Sequence, residues 1–231
     1  MNLILLDSND PHQLWKAEDP RGIHVRKVLG MKPGDSFFVG VENGRIGKAT
    51  ILRDGQTGME LETILDTDSP PPLPLHLLVG LPRPQVARRL LREFPSLGVE
   101  NATFFVADKS EASYATSSLW TGEEWKRLLR EGAEQAFCTW IPRIHHTGSL
   151  EEALAGLEGG RKVALDLYEA TGKFGKGAPA ETIALGPEGG WTNREREVLR
   201  NSGLELQSMG PRVMRVETAL IAAVAIWSAV V

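Results

Sequence analysis

Two glycine-proline turns near the carboxyl end of the chain decide its fold. The first is Leu185-Gly-Pro-Glu-Gly-Gly190, and the second is Met209-Gly-Pro-Arg-Val-Met-Arg-Val-Glu-Thr-Ala219. Glycines let the backbone bend tightly and approach a ligand closely, because no Cβ intervenes. The spacing of the first turn fits neither a dinucleotide-binding GxGxxG motif nor a P-loop. It is therefore either a ligand-binding loop of another kind or a purely structural turn.

A helix start follows each turn. Thr192 and Glu195 have the spacing of a capping box, and the second turn leads into the apolar run Ala219–Val231. Two loops at the carboxyl ends of neighbouring strands are where open α/β sheets bind ligands. Arg215 and Glu217 stand at the second helix start, where an ion pair between them is the alternative to a role in binding.

Strand-like and helical runs alternate upstream of these turns. The strand-like runs are Leu75–Gly80, Thr103–Val106, Val163–Leu167 and Thr182–Leu185. The helical runs are 86–94, which Pro95 is expected to stop, and one that Thr121 and Glu124 are expected to cap. The alternation predicts an α/β domain with a mostly parallel sheet over residues 75–231.

The first part of the chain has a different pattern. Short apolar runs within residues 35–64 are separated by Asn43-Gly44 and Asp54-Gly55, which is typical of antiparallel hairpins and predicts a small β-barrel. The proline-rich stretch 69–74 predicts a stiff linker. We therefore expect one domain over residues 1–69 and a second over residues 75–231.

Cysteine content and the apolar segments limit the classes of protein to which the chain can belong. The 231-residue chain has a single cysteine, Cys138, which excludes an intramolecular disulfide and suits a reducing cytoplasm. The start, residues 1–11, predicts a first strand and neither a signal peptide nor a transmembrane helix. Ala219–Val231 is too short to cross a bilayer, so a helix that is apolar on every side predicts a buried position or a homodimer interface.

Basic residues are concentrated although the net charge is −4. Residues 12–53 contain eight Lys or Arg residues but only four Asp or Glu residues. A second basic group comprises Arg83, Arg88, Arg89 and Arg92. Clustered cations can attract phosphates on an acidic protein, although both groups can equally be solvated faces.

The two turns together resemble the RsmE family of the SPOUT superfamily, which methylates N3 of a uridine in small-subunit 16S ribosomal RNA. The resemblance rests on GPEGG at 186–190, on the Thr-x-x-Glu helix start, and on Met209–Ala219, and it extends weakly to His24–Leu29 and 32–35. It implies a PUA-like RNA-binding β-barrel, then a SPOUT domain with a C-terminal trefoil knot, binding of S-adenosylmethionine, and a homodimer.

Residue roles follow from the resemblance. The implied cofactor-binding residues are Leu165, Leu167, Gly186, Pro187, Glu188, Gly189, Gly190, Met209, Gly210, Val213 and Met214. The implied RNA-binding residues are Arg21, His24, Arg26 and Lys27. Arg215 is the candidate catalytic residue, because an arginine that keeps its charge can stabilise the uridinate formed at N3.

Departures from the family pattern identify a divergent member and leave alternatives open. The chain has Gly30, Glu93 and the run 136–140 where family members tend to carry other residues, several of them basic. A catalytically silent RNA-binding or assembly module, and a methyltransferase for a different RNA, are the alternatives. The sequence indicates no metal site, since His145-His146 has no acidic or cysteine ligand nearby and predicts a solvated loop pair.

Overall fold

The structure, a computed structural model, describes residues 3–157 and 159–231. The chain divides into two compact units. Unit 1 runs to Pro71 and includes Arg130–Ile141, and unit 2 comprises Pro72–Leu129 and Pro142–Val231.

Residues 130–141 depart from the domain limits expected from the sequence, which placed them in the second domain. The backbone N–H of Leu3 donates to the carbonyl oxygen of Glu134 at 3.1 Å, and that of Leu5 donates to the Glu134 carboxylate at 3.0 Å. Burial raises the pKa of this carboxyl group. Local periodicity could not predict the grouping, because it depends on pairing with the distant start of the chain.

Unit 1 is built on a sheet of hairpins. Its elements are β1 (Ile4–Leu6), β2 (His12–Lys16), α1 (Pro20–Lys27), β3 (Ser36–Val41), β4 (Ile46–Gly55) and β5 (Gly58–Thr67). The strand order is β1-β3-β4-β5-β2, in which β1 pairs in parallel with β3 and the other neighbours are antiparallel. The predicted first strand and hairpins are confirmed. Trp15, Val39 and Leu61 lie in the core of this unit.

Unit 2 alternates strands and helices. Its elements are β6 (Leu73–Gly80), α2 (Pro84–Ser96), β7 (Val99–Phe105), a 3-10 turn (Ala112–Tyr114), α3 (Ser118–Thr121), α4 (Glu124–Gln135, which ends in unit 1), β8 (Arg143–Thr147), α5 (Leu150–Ala155), β9 (Lys162–Leu165), β10 (Gly172–Lys173), β11 (Thr182–Leu185), α6 (Asn193–Asn201), β12 (Glu205–Ser208) and α7 (Val216–Ser228).

The sheet of unit 2 is parallel throughout, with the order β10-β12-β9-β11-β6-β7-β8. This confirms the predicted α/β class. The chain builds outward from β6 through β7 to β8 and then continues on the other side of β6, where β11 pairs with both β6 and β9. Such a change of direction leaves a crevice at the carboxyl ends of the strands. Both glycine-proline turns follow strands on this side.

Helix signals had mixed outcomes. The capping box of Thr192 and Glu195 is confirmed, with both of its hydrogen bonds present. The predicted box at Thr121 is wrong, because Thr121 ends α3 and its hydroxyl donates to the carbonyl oxygen of Ser117 at 3.3 Å. The helix expected to stop at Pro95 ends one residue later, at Ser96.

The histidine pair and the last helix also differ from their sequence patterns. His145-His146 lies in β8 rather than in a loop, and the ring of His146 stacks on Phe104 with 5.8 Å between centroids. Helix α7 buries Leu220 and Trp227 on one side, whereas Ile221 on the other is exposed. Nowhere in the described ranges is a helix both long and apolar enough to span a bilayer.

Candidate functional site

A cleft of about 450 Å³ lies at the carboxyl ends of the parallel strands of unit 2. Its wall consists of the segments that follow β9, β11 and β12 and the turn that enters α7, which are Leu165–Tyr168, Leu185–Trp191, Gln207–Gly210 and Arg212–Glu217. Arg83, Val86, Arg196 and Ala219 complete it. The volume falls within the roughly 300–1,000 Å³ usual for small-molecule sites.

The structure brings together every residue that the sequence assigned to cofactor binding. All eleven of them line this cleft, and so does Arg215. They come from three strand ends and a helix entry, and a parallel sheet places all of these at one edge.

Close backbone approach shapes the wall formed by the first turn. The backbone N–H of Gly190 donates to the carbonyl oxygen of Pro187 at 2.8 Å, and Gly190 has a φ of +65°. An ideal Cβ on Gly80, at the end of β6, would lie 2.6 Å from Cδ and 2.7 Å from N of Pro187. Gly80 therefore helps to position this turn, although it does not itself line the cleft, and the sequence alone did not reveal this role. The sequence shows a glycine at the end of a strand, but it does not show that Pro187 packs against it.

Hydrogen bonds from Lys109 and Trp191 hold the first turn in place. The ammonium group of Lys109 donates to the carbonyl oxygens of Gly189 at 2.9 Å and Trp191 at 3.2 Å. The indole N–H of Trp191 donates to the carbonyl oxygen of Leu165 at 2.8 Å, which ties the turn to the end of β9. A side chain added at Gly189 would meet Lys109, whose Cδ lies 3.0 Å from the position of an ideal Cβ.

The start of α6 is fixed by a second network. The Asp108 carboxylate accepts hydrogen bonds from Thr192 Oγ1 at 2.7 Å and from the Arg194 guanidinium at 2.6 Å. The bond from Arg194 lowers the pKa of the Asp108 carboxyl group. Glu195 is fully buried and accepts from the backbone N–H of Asp108 at 3.0 Å. The turn from β11 to α6 is therefore fixed before any ligand binds.

A buried ion pair supports the segment that follows β9. Arg196 donates to Asp166 Oδ2 at 2.7 Å, and the two side chains are only 8% and 2% exposed. The other oxygen of Asp166 accepts from the backbone N–H groups of Tyr168 at 2.6 Å and Glu169 at 2.7 Å. This arrangement fixes the backbone around Leu167, one of the predicted cofactor contacts.

Charged side chains at the cleft differ in their pairing. The backbone N–H of Arg83 donates to Glu188 at 3.2 Å, and Arg89 pairs with Glu217 at 3.4 Å. The alternative ion pair between Arg215 and Glu217 is therefore wrong. Arg215 is exposed and makes no ion pair with any residue that the structure describes. Its charge is available to a ligand.

The predicted RNA-binding residues lie together on α1 in unit 1, but two of them have internal partners. Arg21 pairs with Asp19 and with Asp7, each at 2.8 Å. Arg26 pairs with Asp54 at 2.7 Å and donates to the carbonyl oxygen of Ala17 at 2.7 Å. Both arginines therefore also stabilise the fold of unit 1.

His24 and Lys27 lie on the same helix but differ in exposure to solvent. The side chain of Lys27 is exposed. Nε2 of His24 is buried and has no hydrogen-bond partner among the described residues. In the second basic group, Arg88 makes a bidentate pair with Glu124 at 2.8 and 2.9 Å. Lys27 is thus the residue of the predicted RNA set most available to phosphate.

The cleft has the size and lining of a site for a small, partly apolar molecule. Glycines at its wall allow close approach, apolar side chains such as Leu167 and Met209 line it, and buried polar groups are few. Within residues 3–157 and 159–231, no group of three or more His, Cys, Asp or Glu side chains is arranged to hold a metal ion. The fold and cleft define an α/β protein with a cleft of small-molecule size at the carboxyl edge of a parallel sheet.

Known proteins share this sequence and fold. Residues 69–228 match a family described as RNA methyltransferase domain. The chain is 31% identical to ribosomal RNA small subunit methyltransferase E of Treponema pallidum, over 98% of this chain and 90% of that relative. The chain therefore belongs to the RNA methyltransferase family, and the resemblance to RsmE inferred from the two turns is confirmed.

Solved structures agree with the fold. A ribosomal RNA small subunit methyltransferase E from Neisseria gonorrhoeae, bound to S-adenosylmethionine, superposes with a TM-score of 0.80 at 22% identity, covering 97% of this chain and 95% of that one. A methyltransferase from Legionella pneumophila, also in complex with that cofactor, gives 0.82 at 21% identity, covering 99% and 97%. At these identities the likeness establishes the fold alone.

Proposed function

We propose that the chain is an S-adenosylmethionine-dependent methyltransferase that transfers a methyl group to N3 of a uridine in 16S ribosomal RNA. The observation that carries this proposal is the convergence of both glycine-proline turns on one cleft, whose lining includes Arg215, a residue with no ion-pair partner in the described part of the chain. The family membership gives the substrate class, because the relatives from Treponema pallidum and Neisseria gonorrhoeae named above are small-subunit ribosomal RNA methyltransferases.

The cofactor-binding roles divide between the two turns. Gly186, Pro187, Glu188, Gly189 and Gly190 form the first wall, where backbone rather than side chains meets the ligand. Met209, Gly210, Val213 and Met214 form the adenine side, with apolar contacts from Leu165 and Leu167. When bound, S-adenosylmethionine supplies an electrophilic methyl group on its sulfonium.

Arg215 acts on the nucleotide rather than on the cofactor. The N3 imino proton of uridine must leave before or as the methyl group arrives, and the base then carries negative charge. The guanidinium of Arg215 keeps its own proton and has no ion-pair partner among the described residues, so it can stabilise that charge. Elsewhere in the cleft, Lys109 holds the first turn and Trp191 and Asp166 hold the segment that follows β9.

The finer architecture also belongs to this proposal. Unit 2 would be a SPOUT domain whose last segment passes through a trefoil knot, and unit 1 a PUA-like barrel that binds RNA through Arg21, His24, Arg26 and Lys27. The exposed apolar side of α7, which includes Ile221, supports a homodimer. A ribosomal RNA substrate implies that the enzyme acts in the cytoplasm.

The test is methyl transfer by the purified protein. The protein would be incubated with labelled S-adenosylmethionine and 16S ribosomal RNA, and the product mapped by nuclease digestion and mass spectrometry. We expect one N3-methyluridine in the product. The same position should be unmodified in the ribosomal RNA of a deletion strain, which therefore serves as the substrate. Methylation of a different RNA, or RNA binding without methylation, would support the corresponding alternative and overturn this assignment.

A variant separates chemistry from binding. Arg215→Ala should lower the rate of methyl transfer on the order of a hundredfold, as loss of a group that stabilises developing charge does, and leave cofactor affinity unchanged. Arg143→Ala is the matched control, because Arg143 is exposed, pairs with Glu100 and lies outside the cleft. Equal rates for the two variants would remove Arg215 from the mechanism.

A further inference from the structure

The outer face of the unit 1 sheet carries an exposed aromatic ring. The inner face packs on the core that contains Trp15 and Val39, and alternate residues of each strand point to the outer face. Phe38, in β3, belongs to the outer face and is 46% exposed. It pairs in register with Lys48 in β4, and Lys48 pairs with Ile64 in β5, so these three side chains form one row across the sheet.

A cation without an acidic partner lies over this ring. Nζ of Lys48 is 5.4 Å from the centroid of the Phe38 ring. Lys48 makes no ion pair in the part of the chain that the structure describes. An exposed cation–π contact is weaker than the stacking of a nucleic-acid base on the same ring. A base can therefore displace the ammonium group, which is then free to pair with a phosphate.

Phe137 fixes the orientation of the Phe38 ring. The two rings meet edge to face, with 4.9 Å between centroids and 78° between planes. Phe137 follows the last turn of α4 with a φ of +56°, a conformation that glycine usually adopts at a helix end. The backbone N–H of Cys138 closes that end by donating to the carbonyl oxygen of Ala133 at 3.0 Å. A bulky residue is unfavourable there, but its ring packs both on the apolar cluster around Leu3 and on Phe38.

Charge is distributed unevenly over the outer face. The exposed carboxylates of Glu60, Glu62 and Asp66 all lie on β5. The neighbouring strands β3 and β4 present Phe38 and Lys48 instead. Because carboxylates repel phosphates, an anionic chain is favoured along β3 and β4 and disfavoured along β5. The ring and the cation thus lie together on the side of the face that suits a nucleic acid.

We propose that Phe38 and Lys48 bind an unpaired nucleotide of the RNA substrate, with the base stacked on the ring and the ammonium group paired with an adjacent phosphate. Every base has an aromatic face, so such a site takes an unpaired base of any sequence, whereas a base within a duplex is covered by its neighbours. Helix α1 lies on the opposite face of the sheet, where its Val25 packs in the core. The inference rests on the proposed function, which supplies the RNA.

Fluorescence anisotropy with a labelled oligouridylate tests the stacking contact. Phe38→Leu keeps an apolar side chain and removes the ring, so the dissociation constant should rise roughly five- to hundredfold, the range for loss of one stacked base. Phe38→Tyr keeps the ring and should bind as the parent does. Leu14→Ala is the matched control, because Leu14 is exposed on the same face but pairs with Glu60 at the far end of it. Its affinity should equal that of the parent.

Salt dependence separates the ring from the cation. Lys48→Met keeps the aliphatic stem and removes the charge. It should reduce the slope of log affinity against log salt concentration by about 0.7, the value for one phosphate of a single strand. Phe38→Leu should leave this slope unchanged, because stacking releases no counterion. A smaller slope in Phe38→Leu, or an unchanged slope in Lys48→Met, would contradict the assigned roles.

The outcomes separate this inference from the proposed function. Parent protein that binds 16S ribosomal RNA but not oligouridylate, or Phe38→Leu with the affinity of the parent, would overturn the nucleotide site alone. Failure of the parent to bind 16S ribosomal RNA would overturn both. A lower mass of Phe38→Leu in light scattering would assign the face to an interface between two copies instead.

A measurement on the parent protein decides the case in which Phe38→Leu does not fold. Single-stranded RNA that contains 5-iodouridine would be cross-linked to the parent by ultraviolet light, and the attached peptides identified by mass spectrometry. We expect a cross-linked peptide that contains Phe38. Cross-links confined to other peptides would overturn the site.

Discussion

Substitution of Gly80 should move the first turn and weaken cofactor binding. A methyl group on Gly80 would lie 2.6 Å from Cδ and 2.7 Å from N of Pro187, whereas carbon atoms in contact are normally separated by about 3.5–4.0 Å. Gly80→Ala therefore requires a displacement of roughly 1 Å in backbone that forms the cleft wall. The contact involves a proline ring and main chain, which cannot rotate away as a flexible side chain would.

The magnitude follows from that geometry. Overpacking in a well-packed region typically costs about 1–3 kcal/mol of unfolding free energy. A comparable loss in binding, of about 1.4 kcal/mol or more, corresponds to at least a tenfold rise in the dissociation constant. We expect urea unfolding of Gly80→Ala to show the first effect and calorimetric titration with S-adenosylhomocysteine to show the second.

Gly156→Ala is the matched control for this experiment. Gly156 is the C-cap residue of α5 with a φ of −84°, and among the described residues an ideal Cβ there would meet only the carbonyl oxygen of Ala153 at 3.8 Å. Its stability and affinity should stay close to those of the parent. Gly80→Ala with unchanged affinity would refute the reasoning, because it would show that the turn does not need this close approach to form the site.

Four further predictions follow from particular contacts. Thr192→Ala removes one half of the capping box and should lower the free energy of unfolding by about 1 kcal/mol in urea titration; no change would mean that the cap is dispensable. Asp166→Ala removes the buried partner of Arg196, which keeps a 3.7 Å contact with Glu169, and should cost about 3 kcal/mol by the same assay, whereas a loss below about 1 kcal/mol would contradict the buried pair. Ile221→Glu places a charge on the exposed side of α7 and should convert the proposed dimer to a monomer in light scattering; an unchanged mass would place the interface elsewhere. Lys27→Ala should weaken RNA binding and reduce its salt dependence while leaving thermal stability unchanged, and an unaltered salt slope would remove α1 from the RNA site.

The ion pairs of the arginines on α1 decide which substitution can test RNA binding. Arg26 bonds Asp54 and the backbone of Ala17, so Arg26→Ala would alter both charge and fold. The exposed Lys27 gives a cleaner measurement of the charge alone. The sequence shows that both residues are basic and adjacent, but only the structure shows which one is already engaged.

The sequence by itself determined the class of the fold and, through the family resemblance of the two turns, most of the residues that line the cleft. Hydrophobic runs, glycine-proline turns and the Thr192 capping box act over a few residues, so their chemistry can be read from neighbours along the chain. The capping box predicted from the same kind of pattern at Thr121 is wrong, because the Thr121 hydroxyl donates to the carbonyl oxygen of Ser117 in the preceding short helix. The spacing of Thr121 and Glu124 predicts a helix start, but it does not show that Thr121 already belongs to the short helix before it.

Only the tertiary structure decided the contacts between distant segments. Gly80 abuts Pro187, Asp166 is buried against Arg196, Glu217 pairs with Arg89 rather than Arg215, and residues 130–141 join unit 1. The physical reason is common to all of them: close approach, desolvation and charge pairing depend on which distant residues meet, and no local pattern encodes that meeting.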